Sequence, residues 1–382
     1  MSAVTPQLSA PLVRPVTSPV IRGATPDDYP ALREFSSACS IEADLQLRIE
    51  RGPEFFPLGR LHGERHLPIL AEAAEAVIIG SVRLVERAVR LDGQFARTFH
   101  LSDLRIDPRD RAEDVADRLL HHAVAVCERI DPAAVLFVEG FAGDRFVERW
   151  LAGVPRLPVL GRAATIRMHC VLPFGRPAAP KGIVVLRAES GDLPEMAAFW
   201  QRVAPGRQLT PRLDAGRLES FVTDAPGLEA QSYLVARRAG QIEGFLGLWA
   251  QEGFSEFRVL RDSAATERVR HRLNRTAPVC GALRLPALGT LRPGPSVVHL
   301  CVPGSEPEVL RALLAAAYDQ TASRHSAVCY TIGLDVRDPL RAALHGFRGF
   351  PMDLGVFVAA PRGRSSPPLL DGRPMHLETS LV

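Results

Sequence analysis

The hydrophobic pattern of this chain repeats in its two halves. Residues 21–35 and residues 186–199 each read as a short apolar strand, an acidic turn and an amphipathic helix. An aspartate, a proline and a phenylalanine of the first segment recur 164 positions later in the second, and the same spacing relates Gly80 to Gly244. Self-similarity at a fixed spacing predicts two copies of one structural unit that mixes strands and helices.

A second spacing appears further along the chain. In each half an apolar strand ends at a proline and leads into a helix, and these prolines, Pro108 and Pro303, are 195 positions apart. The wider spacing predicts an insertion of about 30 residues in the second copy, within residues 251–296. The insertion is rich in arginine, which leaves two readings open: a solvated helix face, or a surface that holds phosphates or an acidic substrate.

These observations predict the domain boundaries. The two units span residues 20–172 and 183–360, and a linker rich in proline and glycine joins them at residues 173–182. Residues 1–19 and 361–382 are expected to be flexible because their composition is that of loops. The expected fold class is α/β of the mixed α+β kind.

Composition narrows the function classes. Of the 382 residues, 46% are hydrophobic and 23% charged, which is typical of soluble globular proteins. The net charge of +3 gives no indication of a nucleic-acid partner, and no apolar run is long enough to span a membrane. The N-terminus lacks the pattern of a signal peptide, so we expect a cytoplasmic protein. The cysteine spacings fit no zinc site, and no metal is predicted.

The order of elements resembles the GCN5-related N-acetyltransferase (GNAT) family. The opening segments at residues 21–35 and 186–199, the glycines at the ends of the apolar runs and the strand–proline–helix steps carry this resemblance. It implies two tandem GNAT-like domains, each a twisted mixed sheet flanked by helices, with acyl-CoA between two splayed central strands. The implied reaction moves an acetyl or other acyl group from CoA, the co-substrate, to an amine of a small molecule or peptide. An acyl carrier protein is an alternative donor, because it presents the same pantetheine arm.

The resemblance also places the CoA pyrophosphate at a loop that opens a helix, where backbone N–H groups favour an anion. The residues at this loop are Arg109, Arg111 and Ala112 in the first copy and Val302, Gly304 and Ser305 in the second. Both loops depart from the family pattern, since the first lacks its central glycines and the second keeps one of them. The tyrosine that many members use to protonate the leaving thiolate is replaced by Arg149 and Ala342.

Candidates for the base that accepts the amine proton lie on the expected central strands. They are Glu139 and Asp103 in the first copy and His299 and Tyr330 in the second, and we select Glu139, His299 and Tyr330 as catalytic candidates. The second copy is favoured as the active one because it keeps Gly304, offers His299 and carries the arginine-rich insertion. The alternative hypothesis is a non-catalytic binding or scaffold protein whose CoA pockets have decayed.

Overall fold

The computed structural model describes residues 18–42, 46–109, 112–172, 177–261, 264–280, 284, 294–322, 329–360 and 365–381. The predicted N-terminal segment before residue 18, Arg111 of the first loop and most of residues 281–293 in the insertion lie outside these ranges.

The first half of the chain runs from a short edge strand to a long strand that leaves the unit. Its elements are β1 (Val20–Gly23), α1 (Tyr29–Ala38), β2 (Ile41–Glu42), β3 (Gln46–Arg51), β4 (Arg65–Glu72), β5 (Ile78–Leu91), β6 (Gln94–Ile106), α2 (Ala112–Ile130), β7 (Val135–Phe141), α3 (Arg145–Gly153) and β8 (Leu160–Val171).

The second half keeps the order of the main elements, with α5 added before its hairpin and β12 and α6 in the insertion. Within the described residues it has no counterpart of β2 and β3, and a 3-10 helix (Pro339–Leu344) replaces α3. Its elements are β9 (Val184–Arg187), α4 (Leu193–Val203), α5 (Ala215–Asp224), β10 (Tyr233–Arg238), β11 (Gln241–Trp249), β12 (Ser255–Arg261), α6 (Ala264–Cys280), β13 (Ser296–Cys301), α7 (Pro307–Ala322), β14 (Tyr330–Asp335) and β15 (Gly349–Ala359).

The acidic turns that open each copy are capping structures. In the first copy the Asp28 carboxylate accepts from the Thr25 N–H at 2.8 Å, and Arg22 reaches the same carboxylate at 2.7 Å. In the second copy the Asp192 carboxylate accepts from the Glu189 N–H at 2.8 Å. The carboxylates satisfy backbone donors at the start of the 3-10 turns that lead into α1 and α4. The predicted strand, acidic turn and helix are therefore present in both halves.

Within the described residues, twelve strands form one continuous sheet in the order β1-β4-β5-β6-β7-β15-β8-β14-β13-β11-β10-β9. The order is symmetric about its centre, and the last strand of each half is exchanged. Strand β15 pairs with β7 of the first half, and β8 pairs with β14 of the second. Two units side by side were predicted, and the structure shows that they share one sheet through these exchanged strands.

The two central strands of each half are parallel and separate along their length. Strands β6 and β7 pair only over Thr98–Leu101 and Val135–Val138, although both run further. Strands β13 and β14 pair only at Ser296 and Thr331. The splayed central strands expected from the resemblance are thus present twice.

Two glycines singled out in the sequence explain how a helix packs on each half. An ideal Cβ on Gly80 would lie 2.9 Å from Val115 Cγ1 of α2, and one on Gly244 would lie 2.9 Å from Val309 Cγ1 of α7. Both distances are shorter than normal carbon contacts. Glycine is required at each position because the helix crosses the strand too closely for a side chain.

The insertion and the last segment both pack against distant parts of the chain. Strand β12 pairs with β3 of the first half, which also pairs with β2, in a separate small sheet. The sequence predicts a flexible segment after residue 360, but the structure contradicts this for residues 374–381, which we call the tail segment. Its residues Met375 and Leu377 pack against Phe137 and Leu354 beneath the centre of the large sheet. The prediction failed because the apolar partners of this segment lie far away in sequence.

Candidate functional site

The splay between β6 and β7 opens into a small cavity in the first half, which we call the first cleft. It has a volume of about 40 Å³ and is walled by the two strands and by helices α2 and α3. Its lining is mostly apolar, with Leu101 and Val138 on the strands and Leu120 and Trp150 on the helices. Glu139 is among the few charged residues that line it.

Glu139 is completely buried, and its two carboxylate oxygens differ in their hydrogen bonding. Its Oε1 accepts from His100 Nδ1 at 2.7 Å and lies 3.6 Å from Arg87 Nη1. Its Oε2 is buried and has no hydrogen-bond partner among the residues that the structure describes. Burial alone would raise the pKa of Glu139, but the hydrogen bond from His100 and the charge of Arg87 outweigh it and lower the pKa to about 2. The carboxylate is therefore ionised at neutral pH, and its Oε2 can accept a hydrogen bond from a ligand.

The imidazole beside Glu139 is neutral. Burial and the nearby charge of Arg87 lower the pKa of His100 to about 4. Sequence analysis missed His100 and Arg87, because each is one of many polar residues on a strand. Only the register of β5, β6 and β7 brings them beside Glu139.

Asp103, the other candidate of the first half, lies in a bulge of β6 where its φ is 57°. Its carboxylate accepts from Arg51 Nη2 at 3.0 Å and from Arg105 Nε at 2.8 Å. Burial would raise its pKa, but the charges of Arg105 and Arg51 hold the pKa far below its usual range. A carboxylate bound by two guanidinium groups is a poor base, so its role is to hold the bulge.

In the first of the two loops expected to bind pyrophosphate, the charged side chains form ion pairs with one another. Arg109 Nη2 lies 2.6 Å from Asp107 Oδ2, and the Arg109 N–H donates to Asp107 Oδ1 at 2.9 Å. Ala112 begins α2, and Glu113, one of the two acids in its first turn, is paired with Arg149 at 3.1 Å. Arg149, at the position of the family's tyrosine, thus offsets negative charge at the start of α2.

The second loop is open. Gly304 and Ser305 are exposed, and an ideal Cβ on Gly304 would meet nothing within 4 Å. Val302 is fully buried. Glu306 lies 3.6 Å from Arg238, which moderates its charge near the start of α7.

The two catalytic candidates of the second half lie apart from each other. Tyr330 is buried, and its hydroxyl donates to the Leu314 carbonyl of α7 at 3.1 Å. His299 lies in a bulge of β13 with a φ of 50°, and its Nδ1 is 2.7 Å from the Tyr233 hydroxyl. Burial lowers the pKa of His299, so this imidazole is neutral at neutral pH.

A larger cavity of about 290 Å³ lies between the halves, and we call it the seam cavity. Arg87 and His62 of the first half and His299 and Phe221 of the second are in its wall, as is Glu378 of the tail segment. Arg87 also contacts Glu139, so this arginine lies between the seam cavity and the first cleft. No sequence signal indicated this cavity, because its lining comes from five separate stretches of chain.

Comparison with solved structures shows which fold this is. A tandem GNAT protein from the clavulanic acid biosynthesis pathway superposes with a TM-score of 0.55 and 13% identity, covering 92% of this chain and all of that one. The Saccharomyces cerevisiae N-myristoyltransferase, solved with bound myristoyl-CoA, superposes at 0.58 with 11% identity, covering 92% of this chain and 80% of that one. This chain has a tandem GNAT fold.

A third similar structure contains the GNAT fold as one part of a longer protein. It is described as a GCN5-related glucosamine N-acetyltransferase region in the fungal multi-domain GH3 beta-N-acetylglucosaminidase. Its TM-score is 0.58 and its identity 14%, and the match covers 90% of this chain but 38% of that one. No family recognised from sequence matches this chain, and no curated protein matches it in sequence. The likeness is therefore one of fold, and it confirms the tandem GNAT architecture predicted above.

No helix in the described part of this tandem GNAT fold has the length and apolar character needed to cross a membrane.

Proposed function

We propose that this chain is an acyl-CoA-dependent N-acyltransferase that uses its first cleft for the thioester and its seam cavity for the amine. The observation that carries the proposal is the buried, ionised Glu139, whose Oε2 has no partner in a cleft between splayed parallel strands. An unpartnered buried carboxylate oxygen is costly, which favours a ligand that donates a hydrogen bond to it.

The two cavities suit donor and acceptor because they meet at one ion pair. The first cleft lies between α2, α3 and the splayed strands, and it is narrow and mostly apolar, as a pantetheine arm requires. The seam cavity is wider and more polar. Arg87 lines the seam cavity and lies 3.6 Å from Glu139, so an amine in the seam cavity is close to the cleft.

The reaction would be a direct transfer. The amine nitrogen attacks the thioester carbonyl, a C–N bond forms, the C–S bond breaks, and the CoA thiolate leaves. The amine proton passes to water or to the departing sulfur. Backbone N–H groups at the Asp103 bulge would stabilise the oxyanion. With a pKa of about 2, Glu139 is a good ligand for the amine N–H and a weak base, so its role is to orient the acceptor.

The competing hypothesis is a non-catalytic protein, and the acidic start of α2 favours it. Glu113 and Asp114 lie in the first turn of α2, where a pyrophosphate would bind. Each exposed charge at a helix start contributes only about 0.3–1 kcal/mol, so these acids weaken CoA binding without preventing it.

Thermal unfolding with acetyl-CoA and with longer acyl-CoAs tests the proposal. A ligand at 100 times its Kd adds about 2.7 kcal/mol of stability, which gives a clear rise in Tm. Leu104→Trp, at the half-buried rim of the first cleft, should remove the rise. Gly304→Asp is the matched control, because that position is open and belongs to the second loop. A chain that shows no Tm rise with any acyl-CoA at millimolar concentration would be the non-catalytic protein.

A further inference from the structure

The second half has its own splayed strands, β13 and β14, and a residue of the tail segment binds between them. The bulge residue His299 lies three residues after Ser296, the point where β13 meets β14. In the first half the bulge residue Asp103 likewise lies three residues after His100, which pairs with β7. His299 and Asp103 are therefore structural counterparts.

The counterpart of Glu139 in the second half is Gly333. Glu139 lies two residues after Phe137, the partner of His100, and Gly333 lies two residues after Thr331, the partner of Ser296. A side chain is missing at this position, and Thr379 of the tail segment fills the space. An ideal Cβ on Gly333 would lie 3.2 Å from Thr379 Oγ1 and would collide with Thr379 Cγ2.

The tail segment is fixed by backbone hydrogen bonds at both ends. The Met375 N–H donates to Asp335 Oδ2 at 2.8 Å. Beyond Thr379, Gln251 Nε2 donates to the Ser380 carbonyl and Arg83 Nη1 donates to the Leu381 carbonyl, each at 2.7 Å. A cavity of about 20 Å³ lies between the tail segment and the two strands.

Glu378 occupies the most informative position. Its carboxylate oxygens accept from the His299 N–H at 3.0 and 3.1 Å, and its Oε1 also accepts from His376 Nε2 at 2.8 Å. In the first half, within the described residues, no side chain accepts from the Asp103 N–H. The bulge N–H that would face a thioester oxygen is thus already bonded to an anion in the second half only.

We propose that the second cleft is a closed copy of the acyl site, in which the tail segment is a built-in ligand and the Glu378 carboxylate stands where an oxyanion would bind. Acyl-CoA then has one site per chain, in the first cleft. This assignment reverses the preference for the second half that the sequence suggested. The inference that the tail segment closes the second cleft is independent of the proposed function. The inference that each chain binds one acyl-CoA rests on the proposed function.

The closure is costly to undo. If the tail segment left the cleft, the ionised Glu378 would return to water, but its hydrogen bonds to His299 and His376 would break. The His299 N–H would then lack a partner. Met375, Leu377 and Leu381, all buried, would also be exposed to solvent. A thioester that enters the second cleft must displace all of these contacts.

A disulfide that locks the tail segment tests the closure in the full chain. Gly333→Cys with Thr379→Cys removes the methyl that a Cβ at 333 would collide with, leaves a closer-than-normal contact of 3.1 Å to Ile166 Cγ2, and places two thiols within the reach of a disulfide. Thr379→Cys alone is the matched control, because it cannot form this bond. Acetyl-CoA stoichiometry by calorimetry, and turnover with an amine acceptor, are measured in the oxidised and the reduced protein.

We expect one acetyl-CoA per chain and equal turnover, within twofold, in both redox states. The proposal is overturned if oxidation lowers binding or turnover at least tenfold and a reductant restores it, because the tail segment would then have to leave for catalysis. Two acetyl-CoA per chain in the wild type would also overturn it.

Hydrogen exchange separates this inference from the proposed function. If no acyl-CoA binds in either redox state, the proposed function fails, and the closure is judged by the exchange of the His299 and tail-segment amides. Slow exchange that is unchanged by added acetyl-CoA supports the closure. Exchange at the rate of an unstructured peptide refutes it.

Discussion

Replacing Glu139 with glutamine tests the central feature of the site, a buried carboxylate held ionised by His100 and Arg87. The substitution keeps the shape of the side chain and one acceptor oxygen but removes the charge. It leaves the Arg87 guanidinium, which is only 12% exposed, without its acidic partner. We therefore expect a loss of stability that depends on pH.

Two independent routes give the size of that loss. The pKa of Glu139 is lowered from 4.5 to about 2, and at about 1.4 kcal/mol per pKa unit this corresponds to roughly 3 kcal/mol at neutral pH. Breaking one partner of a buried ion pair typically costs about 3–5 kcal/mol. Since the folded pKa is the lower one, the stabilisation is complete above pH 4.5 and disappears as the pH falls through 2. At pH 3 only about 1 kcal/mol should remain.

Urea unfolding of wild type and Glu139→Gln at intervals from pH 7 to pH 3 measures this difference. Glu195→Gln is the control, because Glu195 is 46% exposed in a surface pair with Arg237, and such pairs contribute about 0–1 kcal/mol. A Glu139→Gln difference that stays constant over this pH range, or one no larger than the control, would refute an ionised, paired Glu139. Turnover at pH 7 should fall by about one to two orders of magnitude, measured at a temperature where both proteins are folded.

Three further predictions concern packing, thiols and pH. Gly80→Ala and Gly244→Ala should each lower the unfolding free energy, measured by denaturant titration, by about 1–3 kcal/mol. Gly23→Ala is the control, because a Cβ there meets nothing within 4 Å, and it should change the unfolding free energy little. Equal losses of unfolding free energy in all three variants would contradict the close approach of the helices. Burial raises the pKa of Cys127 to about 12 and that of Cys301 further, so mass spectrometry after iodoacetamide at pH 8 should find both unlabelled in the folded protein and labelled in urea. Neither Glu139 nor His100 titrates between pH 6 and 9, so kcat/KM should rise with pH through the pKa of the amine substrate. If the inflection of this pH profile does not move when the acceptor amine is changed, the proton belongs to an enzyme group.

The repeat could be read from the chain because its marker residues recur at a fixed spacing. Asp28 and Asp192 close the turns that lead into α1 and α4, and Gly80 and Gly244 each admit a helix that begins some 30–65 residues later. Such residues recur wherever the same local geometry recurs. The splayed strands followed from the resemblance, and the structure places them where the strand–proline steps predict.

The preference for the first half as the proposed acyl site could not be read in this way. Gly304 and His299 pointed to the second half as single residues, and Glu139 was one candidate among several. The decisive difference is that Gly333 replaces a carboxylate and admits Thr379, a residue 46 positions further along the chain. No periodicity links such a glycine to the segment that fills its space.

The amino-acid sequence alone determined that this chain holds two copies of one α/β unit, because strand, turn and close-packing residues repeat with the unit at a fixed spacing. The tertiary structure decided that the last strands are exchanged, that His100 and Arg87 meet Glu139, and that the tail segment closes the second cleft. These features depend on sheet register and on contacts between residues far apart in the chain. Such contacts form where complementary surfaces pack together in the folded molecule. The pattern of polar and apolar residues along the chain does not indicate which distant residues pack together.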